Sequence, residues 1–219
     1  MAADGGARSP EPVAASPVAG ADAPTPVEDF DWDDLAAAVA ACQRCGLHQG
    51  RQRTVFGCGR HDADWMIVGE APGAEEDRQG EPFVGAAGKL LDAMLRAVGL
   101  ARDQVFIANT LKCRPPGNRD PRADELAACR PYLERQIALV RPRLLLLVGR
   151  VAAQAVLGSD EPIGRLRGRV HQLPGYGFPV VATYHPAYLL RSPEQKRRAW
   201  QDLLLARSLT GDDGHGGPL

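Results

Sequence analysis

Four short apolar runs, at residues 65–68, 105–108, 144–148 and 180–183, are separated by stretches whose apolar residues recur at helical spacing. In one such stretch Leu90, Leu91, Met94, Leu95 and Val98 share a face, and Gly99 follows as a natural stop. Short runs that are apolar on both faces and alternate with helices predict parallel strands covered from two sides. The expected fold class is therefore α/β: a three-layer α/β/α sandwich with a central, mostly parallel four-stranded sheet. Further helices are expected over 31–42, from about 121 to 140, up to Gly158, and from about 193 to 209. The Gly-, Pro- and acid-rich stretch from the first run through Gly88 reads as loop.

A chain of 219 residues can bury one sizeable core, which predicts a single domain. Residues 1–30 are dominated by Ala, Gly, Pro and acid, with Phe30 as their only aromatic. Such a segment buries too little apolar surface to offset its ordering entropy. The expected organisation is a disordered tail at 1–30, a folded domain at 31–210 and a flexible tail at 211–219. The start lacks the basic and apolar regions of a signal peptide, and the longest aliphatic run, 144–148, is far too short to span a bilayer. A soluble, cytoplasmic monomer with no membrane partner is expected. The net charge of −1 hides an asymmetry, because setting the two tails aside leaves 25 basic and 20 acidic residues in 31–210. A modestly cationic body permits nucleic acid as a partner without requiring it.

Cys42 and Cys45 form a C-x-x-C, and Cys113 and Cys129 follow far downstream. Four cysteines in a chain with no secretory signal read as a metal site before they read as disulfides. Thiolate-only ligation suits an iron–sulfur cluster and also structural zinc, and spacing alone favours zinc as the commoner occupant. Cys113 opens the loop Arg114, Pro115, Pro116, Gly117, Asn118, Arg119, whose charges suit an anionic partner. Cys58 has no role that spacing can assign.

Ligands of open α/β sheets bind beyond the carboxyl ends of the strands. The first run here ends in Gly69 and Glu70, the second in Asn109, and the fourth in Tyr184, His185 and Pro186. A carboxylate, an amide and an imidazole delivered to one sheet edge suit a polar, planar heterocycle. The amide offers both donor and acceptor, the imidazole donates to an oxygen gaining charge, and the carboxylate orients water. Phe83 can stack on a ring, and Gly73, Gly80, Gly85 and Gly88 allow close backbone approach. Neither the Walker spacing nor G-x-G-x-x-G is present, so this is no phosphate cradle.

Taken in order, these segments resemble the family-4 uracil-DNA glycosylases across roughly residues 35–208. The segments are Gly69-Glu70-Ala71-Pro72-Gly73, Phe83-Val84-Gly85 with Gly88, Asn109 with Lys112-Cys113-Arg114-Pro115-Pro116, and the run from His185 to Arg191. The resemblance implies a [4Fe–4S] cluster on Cys42, Cys45, Cys113 and Cys129, reversing the preference for zinc that spacing alone carries. It implies hydrolysis of the N-glycosidic bond of uracil in single- or double-stranded DNA, after the base is flipped from the stack. The implied catalytic residues are Glu70, Asn109 and His185. Glu70, Ala71, Gly73, Phe83, Asn109 and His185 would bind the base. Arg114, Arg119 and Arg191 would hold phosphates, and Leu189 or Leu190 would wedge into the duplex. Ala71 stands where better-known uracil glycosylases place a water-activating Asp, which leaves Glu70 to position water or balance charge on the sugar.

Three other readings stay open at this stage. The first is a non-catalytic, metal-stapled protein that binds damaged DNA. The second is a covalent uracil-trapping relative, which residues 110–129 disfavour because they contain no histidine. The third is a glycosylase of broader specificity for deaminated bases.

Overall fold

The computed structural model describes residues 26–211 together with Met1. Of the tails expected at 1–30 and 211–219, residues 2–25 and 212–219 lie outside the described residues. The six strands among the described residues are β1 (Cys58–Gly59), β2 (Trp65–Gly69), β3 (Phe106–Asn109), β4 (Leu144–Val148), β5 (Val170–Gln172) and β6 (Pro179–Thr183). They form one sheet in the order β1-β3-β2-β4-β6-β5. The inner four pair in parallel, as expected, but the sheet has six strands and not four. The two additions, β1 and β5, are short antiparallel edge strands. Only two and three residues long and partly exposed, they carry no apolar run to mark them.

Among the described residues eight α-helices accompany the sheet: α1 (Trp32–Ala41), α2 (Ala74–Gln79), α3 (Ala86–Ala97), α4 (Ala123–Val140), α5 (Arg150–Leu157), α6 (Ile163–Leu166), α7 (Pro186–Arg191) and α8 (Lys196–Thr210). Strand side chains alternate between two cores. Ile67, Leu144, Leu146, Val148 and Val181 meet Leu91, Met94 and Leu95 of α3 and Ala199, Leu203 and Ala206 of α8. Met66, Val68, Leu145, Leu147, Val180 and Ala182 meet Leu133, Ile137 and Val140 of α4, Ala153 of α5 and Leu166 of α6. These two faces make the expected three layers.

The chain leaves β2 towards α3 on one face and leaves β4 towards α5 on the other. A crevice therefore opens beyond the carboxyl ends of these neighbours, where ligands of such sheets bind. A third cluster joins Leu35 and Val39 of α1 to Leu47, Leu111, Cys113, Cys129 and Tyr132. Composition places residues 26–30 in the tail, but the structure packs them onto this cluster. Val27–Asp29 form a 3-10 turn, Val27 and Phe30 touch the apolar residues, and Arg135 Nε donates to the Phe30 carbonyl at 2.5 Å. Among the described residues no helix is long and apolar enough to cross a membrane.

Candidate active site and cysteine pocket

Gly69 at the end of β2 lies in register with Asn109 at the end of β3. Beyond this pair Thr110 donates to the Gly69 carbonyl through its N–H (2.9 Å) and to the Glu70 carbonyl through Oγ1 (2.5 Å), and Leu111 N–H donates to the Glu70 carbonyl at 3.1 Å. These bonds fix the turn that carries Glu70. A Cβ on Gly69 would lie 2.5 Å from Asn109 Oδ1 and 2.6 Å from Phe83 Cζ, so both side chains are packed directly on its bare backbone. Asn109 is 2% exposed, and its Oδ1 has no hydrogen-bond partner among the described residues. An acceptor left in that state costs about 1–3 kcal/mol, which a ligand donor would recover.

Phe83 is buried and holds φ at 54°, a left-handed conformation that costs a bulky residue about 1–2 kcal/mol. A Cβ on Gly88 would lie 1.7 Å from the Phe83 carbonyl oxygen, so only glycine lets the helix start beneath this turn. The Phe83 ring stands 5.6 Å from the His185 ring at 27°, close to parallel. Glu76 ties the two loops together. Its Oε2 accepts from Gly73 N–H (3.1 Å), and its Oε1 accepts from the N–H groups of Val84 (2.9 Å) and Gly85 (3.0 Å).

His185 follows β6 and caps α7, its Nδ1 accepting from Ala187 N–H at 3.1 Å. Burial first, and then the nearby Arg191 charge, push its pKa down to about 4. The ring is therefore neutral near pH 7, and an accepting Nδ1 leaves the proton on Nε2, which can donate. Two residues earlier, Thr183 Oγ1 donates to the fully buried Asp202 at 2.7 Å. Asp202 also accepts two bonds from Arg167, at 2.9 and 2.6 Å. Burial raises the Glu70 pKa, the Asp120 charge adds to that, and Arg150 partly offsets it.

One cleft of about 410 Å3 is lined by Glu70, Ala71, Gly73, Phe83, Asn109 and His185, the six residues expected to bind the base, with Arg119 and Arg191 at its rim. Glu76 and Tyr188 line it too, and sequence reasoning passed over both. An acid three residues after Gly73 was the available signal for Glu76, as a capping box. Arg114 and Leu190 lie outside the lining. Arg114 donates to Asn118 Oδ1 at 2.8 Å. Of the two leucines expected to wedge, Leu189 is 1% exposed in the core beside α3 and α8, whereas Leu190 is 47% exposed. Arg119 is already committed: it pairs bidentately with the buried Glu125 at 2.9 and 2.6 Å.

The cysteine quartet converges. Cys42 ends α1, Cys45 precedes a 3-10 turn at Gly46–Gln49, Cys113 lies beyond β3, and Cys129 projects from α4. All four line one apolar pocket with Leu47, Leu111 and Tyr132, and none is in a disulfide. Arg51 donates to Cys113 Sγ at 3.2 Å and to the Cys42 carbonyl at 2.8 Å, and Lys112 N–H donates to Cys129 Sγ at 3.3 Å. Burial pushes the Cys129 thiol up to about 11 and raises Cys113 as well, so thiolates here need added positive charge. Among the described residues no three acidic, histidine or cysteine side chains close on one ion-sized point. The four cysteines share this one pocket, a donor set whose chemistry suits thiolate ligation. Cys58 stands apart, half-buried beside Arg102, its thiol pushed up to about 11 chiefly by burial.

An α/β/α sandwich whose carboxyl edge gathers a ring, an amide and a neutral imidazole around a small cleft defines a site for a planar heterocyclic base. The family model of the uracil DNA glycosylase superfamily matches residues 56–204. The type-4 uracil-DNA glycosylase of Archaeoglobus fulgidus is 42% identical over 82% of this chain and 93% of its own length. Those of Sulfurisphaera tokodaii and Thermotoga maritima are 44% and 41% identical, over 81% and 82% of this chain and 84% and 95% of their own lengths. The chain belongs to the uracil DNA glycosylase superfamily and, within it, to the type-4 uracil-DNA glycosylases.

Proposed function

We propose that this protein hydrolyses the N-glycosidic bond of uracil in DNA, leaving an abasic site, and that Asn109, Phe83, His185 and Glu70 carry out the recognition and the chemistry. The unpartnered, buried Oδ1 of Asn109 beside the Phe83 ring is the observation that carries this reading. Uracil presents an N3–H donor next to a carbonyl acceptor, the complement of an amide that offers one acceptor and one donor. Cytosine presents an acceptor at N3, which cannot donate to Oδ1 as the uracil N3–H does. Phe83 stacks on the flipped base. When the bond from C1′ to N1 breaks, its electron pair moves onto the uracil and the sugar becomes cationic. The Nε2–H of neutral His185 donates to the uracil oxygen that gains charge. Glu70, poorly solvated and so more basic than usual, orients the water whose oxygen adds to C1′, and takes its proton. Release of free uracil from single- and double-stranded uracil-containing DNA tests the reading. Binding of such DNA without base release would establish the non-catalytic alternative, and release of hypoxanthine at a comparable rate the broader one.

Cys42, Cys45, Cys113 and Cys129 would hold a [4Fe–4S] cluster. The meeting of four cysteines in one pocket and the N–H donors to two of their sulfurs support this reading. Through these four cysteines a bound cluster would tie α1, α4 and the 113–119 loop together. Cys129→Ser is expected to lose bound iron, the broad visible absorption and several degrees of Tm together. Purified wild-type protein that holds one zinc and no iron would defeat the assignment.

Arg191, which lines the cleft, and Arg114, on the 113–119 loop, would contact phosphates. Leu190 is the wedge we assign. Leu190→Ala is expected to lower activity on double-stranded DNA by about tenfold, the cost of a lost wedge against unstacking, while sparing single-stranded DNA. Equal losses on both substrates would remove that role.

A further inference from the structure

Phe83 combines a bulky ring with left-handed backbone, a conformation that persists only where its surroundings hold it. Its following N–H groups are held by Glu76. Its carbonyl side is held by a residue from a different part of the chain. Arg102, on the turn before β3, donates from Nη1 to the Phe83 carbonyl at 3.2 Å and from Nη2 to the Pro82 carbonyl. The same guanidinium is anchored by Asp92 of α3 at 3.1 Å and by Glu81 at 3.2 Å. One planar cation thus fixes two consecutive carbonyls while two carboxylates fix the cation. A lysine ammonium cannot reproduce that fork. Arg102 is only partly exposed and does not line the cleft, so it acts through Phe83 and not on the base.

We propose that Arg102 is a positioning residue for base recognition: by holding the Pro82 and Phe83 carbonyls it keeps the Phe83 ring in the orientation that stacks on the flipped base. The assignment rests on the proposed uracil site. It makes Arg102 a determinant of base binding from outside the pocket, on a turn that none of the family-like segments includes.

The test is a double-mutant cycle of Arg102→Gln and Phe83→Ala in the full-length protein, read as kcat/KM on single-stranded uracil-containing DNA and as inhibition by free uracil. Arg102→Gln alone is expected to lower kcat/KM by about 10- to 100-fold, the size of a lost pair of charge-assisted hydrogen bonds, and to weaken inhibition by uracil by a similar factor. In the Phe83→Ala background the same change is expected to do almost nothing, because its route to the base is gone. An equal loss in both backgrounds, or no loss in an active protein, overturns the proposal. A wild type that releases no uracil instead overturns the site on which it rests. Should Arg102→Gln fail to fold, Arg102→Lys carries the same cycle, since it keeps the charge beside Asp92 but cannot span both carbonyls.

Discussion

His185→Ala is expected to lower kcat on uracil-containing DNA by about 100- to 1,000-fold, the usual cost of removing one donor to a developing oxyanion, with DNA affinity changed by only a few-fold. The disparity follows from where the ring sits. His185 faces the cleft and the Phe83 ring, and its contribution grows only as charge moves onto the leaving base. Turnover within a few-fold of wild type would refute the role. The pH behaviour is fixed by the same geometry. With a folded pKa of about 4, the ring stays neutral throughout the range where an ordinary imidazole titrates, so it adds no step to kcat/KM between pH 6 and 7. In the unfolded chain His185 takes up a proton near pH 6.5, and in the folded protein only near 4. The unfolded state therefore binds more protons between those values, and this group's contribution to stability falls as pH drops from about 6.5 to 4. Thermal melts of wild type and His185→Ala across that window check the sign: the wild type should lose more stability on acidification.

Gly69→Ala is the second large effect. The added methyl would stand 2.5 Å from Asn109 Oδ1 and 2.6 Å from Phe83 Cζ, closer than any real Cβ contact, so both base-binding side chains must move. Displacing groups from a reacting geometry by about 1 Å can cost about 100-fold, and that is the expected loss in kcat/KM. Overpacking of this kind destabilises a protein by about 1–3 kcal/mol, which leaves an ordinary domain almost wholly folded. Activity should therefore collapse while circular dichroism and the bulk of thermal stability persist. Activity within a few-fold of wild type would mean that Asn109 and Phe83 do not read the base together.

Much of this was legible in the sequence, for physical reasons that also explain what was not. The four inner strands are buried on both faces, which requires uninterrupted apolar runs, and such runs stand out. The edge strands Cys58–Gly59 and Val170–Gln172 need no such run, so nothing announced them. Helix α2 was hidden because Ala74–Gln79 is almost wholly polar; it is set by the Gly73–Glu76 cap and not by an apolar stripe. Glu70, Asn109 and His185 could be placed because strand ends share one edge of the sheet. Leu189 and Leu190 could not be told apart, since a six-residue helix is too short to show its phase. Arg119 looked like a free cation because its partner Glu125 lies six residues on, across the start of α4. The clamp at Arg102 was invisible for another reason: the two carbonyls it holds are main-chain groups, and these leave no trace in side-chain identity.

The bond from Thr183 to the buried Asp202 has a kinetic consequence. His185 lies two residues beyond a strand moored to α8, so its place is set by the molecule's interior and not by a surface lid. Free base then meets a receptor already in its working shape. Association of uracil or of a planar inhibitor should proceed as a single collision-limited step, with no slow isomerisation following it.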